Sequence, residues 1–237
     1  MQLKLYINLD KELTLPINYS HILQGIIYKA LSKDLSYQKK LHNEGLNHSN
    51  YKFFTFSLLC GKHKIENKKI TFFDTIFLEI RSVDSYFIFL LYEYFKANGI
   101  SFGKDNFSVN LQLKNKVIRN DCIDIKMNSP ICVPKRGENN QIIFLSPQDS
   151  DFEKYINNNF CSKYQVYYNA EPFSDISITN TSISHSDKFV TTLKNIYMTG
   201  WKGSYILSGS PDYLTFLYNC GLGAKNSQGF GLFELLD

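Results

Sequence analysis

The chain runs through the same alternation of apolar periods twice, and that repetition leaves few architectures open to it. In the first half, "LKLYINL" places Leu3, Leu5, Ile7 and Leu9 on one face at period two, the pattern of a half-buried strand. "NYSHILQGIIYKALSKDL" then sets Ile22, Leu23, Ile26, Ile27, Ala30 and Leu31 at helical spacing. "KFFTFSLL" and "TIFLEIRS" return to strand character, with a lysine-rich strand candidate between them at 62–71. "SVDSYFIFLLYEYFKANG" predicts a helix with Asp84 or Ser82 as N-cap and Gly99 as its stop. "FSVNLQLKN" closes the set as a strand, so the order is β-α-β-β-α-β with room for one extra hairpin strand.

The second half repeats this order more loosely. "CIDIKM" predicts a strand, and "SPQDSDFEKYINNNFCSKY" a helix entered through Ser146-Pro147. "DISITN" and "GSYILSG" predict strands. "SPDYLTFLYNCG" predicts a helix with Ser210 as N-cap, Pro211 at its first position and Gly221 after its end. "GFGLFELL" predicts the last strand. The expectation is an α+β protein of two tandem ferredoxin-like domains, 1–118 and 119–237, joined near 115–121.

Composition bounds the function classes. Hydrophobic residues make up 43% of the 237, ample for a core. "YFIFLLYEYF" (86–95) is too short to span a bilayer and carries Glu93, and no secretory signal pattern is visible at the N-terminus. The five cysteines (60, 122, 132, 161, 220) form no C-x-x-C pair and read as reduced cytoplasmic thiols, mostly in the core. The five histidines (21, 42, 48, 63, 185) show no metal-ligand pairing, so neither metal nor cofactor is expected. The net charge of +4 is compatible with a polyanionic partner. Only Arg81, Arg119 and Arg136 are arginines; lysine acts as a point charge on phosphate, so contacts to a nucleic-acid backbone would dominate.

"CGLGAKNSQGFG" (220–231) concentrates four of the 13 glycines between the last helix and the last strand. It is not a dinucleotide fingerprint, because Asn226 stands where the third glycine belongs, and not a P-loop, because no Gly-Lys-Ser/Thr opens a helix. Gly221 serves as the helix stop. Gly223, Gly229 and Gly231 exceed that need and predict positive φ or a close backbone approach.

"GLGAKNSQGFG" resembles the C-terminal glycine-rich loop, G-h-G-x-x-x-x-x-G-h-G with h apolar, of the repeat-associated RNA-binding proteins of CRISPR systems. "LPINYSHILQGIIYKAL", "LHNEG" and "KFFTFSLL" are similar to the CRISPR-associated endoribonuclease numbered six among the Cas proteins. The resemblance covers nearly the whole chain. It implies a cytoplasmic enzyme that binds CRISPR repeat RNA and cuts it without a metal, leaving a 2′,3′-cyclic phosphate and a 5′-hydroxyl. It further implies a monomer or homodimer, with interference-complex subunits as possible partners. The tyrosine of "GIIY", the histidine of "LHNEG" and the lysine before "FFTFS" match that family's catalytic triad: Tyr28, His42 and Lys52. The resemblance assigns RNA binding to Gly221, Gly223, Lys225, Asn226, Ser227, Gln228, Gly229 and Gly231, with the backbone amides of 224–228 forming an anion-binding concavity.

The residues alone leave alternatives. Tyr28 falls off the apolar stripe of its helix, on the flank with Gln24, where an aromatic ring meets solvent or a ligand. His21, His48 and His63 compete equally with His42 until the resemblance is applied, and His48 is the reserve. Lys52 at a strand end, and Lys62, Lys64, Lys68 and Lys69, are also what a solvated surface carries. Trp201 reads as core packing before base stacking. The chemistry asks for little: RNA carries its own 2′-hydroxyl nucleophile, and histidine can move protons near neutrality. A non-catalytic repeat-binding protein, or a subunit of the interference complex, would share the fold and loop. A pair of RNA-recognition modules would need a K/R-G-F/Y-G/A signature that "KFFTFSLL" lacks.

Overall fold

The computed structural model describes residues 1–46, 49–193 and 196–236. Its N-terminal half contains β1 (Gln2–Asn8), β2 (Leu13–Pro16), α1 (Ser20–Ala30), α2 (Leu35–Asn43), β3 (Phe54–Phe56), β4 (His63–Glu66), β5 (Lys69–Phe72), β6 (Thr75–Ser82), α3 (Ser85–Asn98), β7 (Ile100–Phe102) and β8 (Asp105–Lys114). β1 is the middle of an antiparallel sheet ordered β3-β6-β1-β8-β7. Leu5 faces Leu78 on one side and Leu111 on the other. The period-two side chains Leu3, Leu5 and Ile7 are fully buried, under Leu23, Ile27 and Ala30 of α1 and Phe87, Leu91 and Phe95 of α3. Asp84 caps α3 by accepting from the Tyr86 and Phe87 amides, and Gly99 ends it at φ 65°.

The C-terminal half contains β9 (Cys122–Met127), β10 (Pro134–Arg136), β11 (Ile142–Phe144), α4 (Phe152–Tyr168), β12 (Ser177–Ser182), β13 (Lys188–Leu193), β14 (Ile196–Trp201), β15 (Ser204–Ser208), α5 (Pro211–Cys220) and β16 (Phe233–Leu236). Its main sheet is ordered β12-β15-β9-β16. Counting only the strands of the β-α-β-β-α-β unit, both sheets run second, third, first, fourth. The two halves therefore share one topology, and the α+β, twice ferredoxin-like expectation holds. Ser210 caps α5 ahead of Pro211, with its oxygen accepting from the Tyr213 amide at 3.4 Å.

Several elements differ from the sequence expectation. The long helix predicted at 18–35 stops at Ala30, turns through a 3₁₀ segment at Leu31–Lys33, and restarts as α2. Asp34 caps that restart, accepting from the Tyr37 amide at 2.9 Å. α2 buries only Leu41, so its apolar period was too weak to read. α4 begins at Phe152; Ser146-Pro147 lies in the preceding turn, where the Ser146 amide donates to Asp149. The last strand begins at Phe233 rather than inside the glycine segment. β2 joins the lysine-rich hairpin β4–β5 in a separate three-stranded sheet, and the short hairpins β10–β11 and β13–β14 were not anticipated.

The two sheets are fastened to each other by buried polar groups. Arg81 is 1% exposed, pairs with Glu79, lies 3.6 Å from the Tyr218 ring centroid and donates to the Phe233 carbonyl at 2.7 Å. A buried cation is stable only when so enclosed by acceptors. All five cysteines are free, with Cys132 and Cys220 buried, Cys60 and Cys161 half-buried and Cys122 exposed, so fewer lie in the core than expected. Among the described residues, no helix is long and apolar enough to cross a membrane.

Candidate active site

Three elements converge on one place. α1 presents Tyr28, half-buried against the N-terminal core. The last turn of α2 presents His42, whose ring lies edge-on to Tyr28 with centroids 5.3 Å apart. The segment entering β3 supplies Lys52, whose ammonium donates to the His42 carbonyl at 2.8 Å. The histidine thus belongs to a helix end, and a cation beside the last carbonyls of a helix is electrostatically favoured there.

A backbone twist fixes the lysine. Phe53 adopts φ 52°, the left-handed region that costs a non-glycine residue on the order of 1 kcal/mol. It is 4% exposed and packs in the C-terminal core, whereas Phe54 packs in the N-terminal core. Two successive side chains anchored in opposite halves leave Lys52 at their junction. Burial holds the Lys52 ammonium below the usual lysine range. Burial also pushes the Tyr28 phenol up to about 12, so it keeps its proton at neutral pH. The His42 imidazole is exposed, with Nδ1 3.0 Å from the Asn43 side-chain oxygen.

The glycine segment arches beside these groups, but its glycines face inward. Gly221, Gly223, Gly229 and Gly231 all have positive φ and all are buried. A Cβ on Gly223 would come 2.7 Å from the Cys132 carbonyl oxygen, and one on Gly229 would come 2.8 Å from the Phe56 ring. A Cβ on Gly221 would meet the Asn226 side chain, and one on Gly231 would meet the Leu222 carbonyl first and the Asn226 side chain next. The close approach expected to an RNA backbone is an approach to the protein itself. The amides of Leu222, Ala224, Gln228, Gly229 and Gly231 donate to carbonyls of Gly231, Cys132, Lys225, Asn226 and Pro130, so of the amides at 224–228 expected to form an open concavity, those of Ala224 and Gln228 are taken up within the protein. Asn226 is likewise engaged: its amide donates to the Leu222 and Phe230 carbonyls at 3.1 Å each. Lys225 is exposed, and Ser227 and Gln228 are half-buried.

Residues the sequence analysis passed over complete the site. Lys163 of α4, 2% exposed, donates to the Gly221 and Gly223 carbonyls at 2.8 and 2.6 Å and holds the loop from beneath. Its signal was present: Phe152, Ile156, Phe160 and Lys163 share one helical face, and a lysine on an apolar stripe needs a buried acceptor. Between Lys52 and the loop lies a cavity of about 390 Å³. Of the competing histidines, His63 lies on exposed β4 with Nδ1 2.9 Å from the Gly61 carbonyl. His21 stays with Asn18, and His48 lies outside the described residues. Trp201 is half-buried against the C-terminal core, as packing predicted. Among the described residues no cluster of three His, Cys, Asp or Glu side chains could hold a metal ion.

Comparison with known proteins matches the chain to one family. Residues 113–235 fit the family model "CRISPR associated protein Cas6, C-terminal", and residues 14–96 fit "CRISPR-associated protein Cas6, N-terminal". The chain belongs to the Cas6 family. It is 28% identical over 243 residues to the CRISPR-associated endoribonuclease Cas6 1 of Methanocaldococcus jannaschii, covering 98% of this chain and 91% of that one. It is 26% identical to the CRISPR-associated endoribonuclease Cas6 of Pyrococcus furiosus, covering 95% and 85%. A solved structure described as CRISPR associated protein Cas6 superposes with a TM-score of 0.79 at 26% identity, over 100% of this chain and 99% of that one. In this Cas6 chain the N-terminal model spans Tyr28, His42 and Lys52, while the C-terminal model spans Lys163 and the glycine segment. The site is composed from both.

Proposed function

We propose that this chain is a metal-independent endoribonuclease that cuts CRISPR repeat transcripts into unit-length guides. The 2′-hydroxyl next to the scissile phosphate attacks in line and displaces the 5′-oxygen, leaving a 2′,3′-cyclic phosphate and a 5′-hydroxyl. His42 exchanges the proton, a role worth on the order of 10²–10⁴ in rate. Lys52 stabilises charge building on the phosphorane. Tyr28, which keeps its proton, donates a hydrogen bond to a phosphate or leaving oxygen. Exposed Lys225, with Ser227 and Gln228, contacts RNA, whereas the glycines and Asn226 shape the loop.

The observation that carries this reading is the meeting of Tyr28, His42 and Lys52 from three separate elements of a Cas6 chain. A non-catalytic repeat-binding protein would have no need of it. We place the domain division at 118/119, between the last strand of one sheet and the first of the other. Free, scattered cysteines suit a cytoplasmic protein. Incubation with a repeat RNA in EDTA tests the reaction. A single cut with a cyclic phosphate end is expected, and strict dependence on magnesium would overturn the mechanism.

A further inference from the structure

Gly25 stands in the interior of α1 with no reason for a glycine inside the protein. Of the 13 glycines, nine take a positive φ that other residues rarely adopt. At Gly137, Gly200 and Gly209 a Cβ would come 2.9, 2.9 and 3.0 Å from Ile143, Pro130 and Ile176. Gly25 has neither constraint. It lies in helical backbone, and beyond that backbone and its chain neighbours no described atom comes within 4 Å of a Cβ built on it. Glycine is the worst helix former after proline, because its backbone loses the most freedom on folding. Alanine would fit at this position and strengthen the helix. A bare patch kept in spite of that points to a close approach from outside the chain.

The neighbours of that patch belong to the candidate site. Gln24, whose amide donates to the Ser227 carbonyl of the glycine segment, precedes it. Tyr28 lies three residues on, about 4.5 Å further along the axis and less than one helical turn away. A strand that meets Tyr28 and leaves across α1 therefore passes over Gly25. His21 and Lys29, four residues before and four after and both exposed, flank the patch along the same face. Lys29 is a point charge suited to a phosphate. A bare stretch of helix between two basic side chains suits the sugar–phosphate backbone of an RNA, with a sugar on the glycine and phosphates towards the flanks. A base would need an aromatic face or free donors and acceptors to read its edge. The patch offers neither, since amides and carbonyls in the middle of a helix are bonded within it.

We propose that the repeat RNA crosses α1 at Gly25, its sugar–phosphate backbone beside the cut packed on the glycine between His21 and Lys29. The proposal rests on the endoribonuclease reading. Its test uses full-length protein and a repeat RNA, with melting temperature and RNA affinity measured on the same variants. Gly25→Ala should raise the melting temperature by about 2–4 °C, because alanine strengthens a helix, and yet weaken RNA binding about 3-fold. Gly25→Leu, which the open space accommodates, should melt no lower than wild type and bind about 10-fold or more weakly. Lys29→Ala should flatten the salt dependence of binding by about one phosphate's worth of slope. Full affinity in a folded Gly25→Leu protein, or an unchanged slope in Lys29→Ala, would overturn the crossing. A lower melting temperature in Gly25→Ala would overturn it too, since the glycine would then serve the fold. Wild-type protein that binds repeat RNA without cutting it overturns the nuclease reading and leaves these affinities to decide the crossing. Wild-type protein that binds no repeat RNA overturns both.

Discussion

The side-chain amide of Gln24 donates to the carbonyl oxygen of Ser227 at 2.7 Å, joining α1 to the glycine segment across 203 positions of sequence. Gln24 lies four residues before Tyr28 and so shares its helical face. The bond sets the C-terminal loop one helical turn from the tyrosine, and with Lys52 at the junction of both cores it makes the site a property of the pair of halves. Neither half presents Tyr28, His42, Lys52 and the loop by itself.

Histidine is the side-chain type in the proposed set that can move protons near neutral pH. His42→Ala should slow single-turnover cleavage about 10²-fold or more and leave RNA affinity nearly intact. The imidazole is exposed and, among the described residues, its side-chain hydrogen bond is to its neighbour Asn43 and its ring contact is with half-buried Tyr28, so the fold should not suffer. A single-turnover assay beside a filter-binding titration checks this. A full-rate variant would remove His42 from the mechanism.

The glycines should behave as parts of the fold. Gly223→Val would combine a positive φ with a Cβ 2.7 Å from the Cys132 carbonyl, and Gly229→Val would meet the Phe56 ring. Each should cost about 2 kcal/mol or more. The melting temperature should fall by several degrees while the molecules that remain folded bind repeat RNA with unchanged affinity. Unchanged melting with lost affinity would return the glycines to the RNA surface.

Burial pushes Lys163 down to about 8, with the nearby Cys220 thiol acting in the opposite sense. An unfolded chain holds that proton up to about 10.4. Between these values the unfolded state binds more protons than the folded one, so this group's contribution to stability rises with pH. Its two bonds survive deprotonation, because a neutral amine still has two N–H groups for the Gly221 and Gly223 carbonyls. The buried thiols of Cys132 and Cys220, pushed up to about 12 and about 11, act oppositely, so the comparison must be with Lys163→Met. The wild-type advantage in unfolding free energy should widen by about 1–2 kcal/mol from pH 8 to 9.5. A constant or shrinking gap contradicts the assignment.

The fold was legible where an element buries a whole face. β1, α1 and α3 show their period in sequence because Leu3, Leu5 and Ile7, or Leu23, Ile26 and Ile27, all point into one core. α2 was not legible, since Leu41 alone is buried there, and with it the true setting of His42 was missed. Tyr28, His42 and Lys52 came from the resemblance; no local pattern sets His42 apart from His21 or His63. Gln24 and Lys163 matter through partners far away in sequence, and no window of residues shows such a partner. The glycine segment was seen, but not what its glycines approach. Positive φ and close approach were both present, yet the surface approached is Cys132, Phe56 and Leu222 of the same chain.

The central claim is that the RNA supplies its own nucleophile at the site built by Tyr28, His42 and Lys52. It is tested most directly with a repeat RNA bearing a single 2′-deoxy nucleotide immediately before the cut, incubated with wild-type protein in EDTA beside the all-ribose RNA. The account predicts that both bind equally, that the all-ribose RNA is cut once, and that the deoxy RNA stays whole. Cleavage of the deoxy RNA at the ordinary rate would make water the nucleophile and contradict the mechanism.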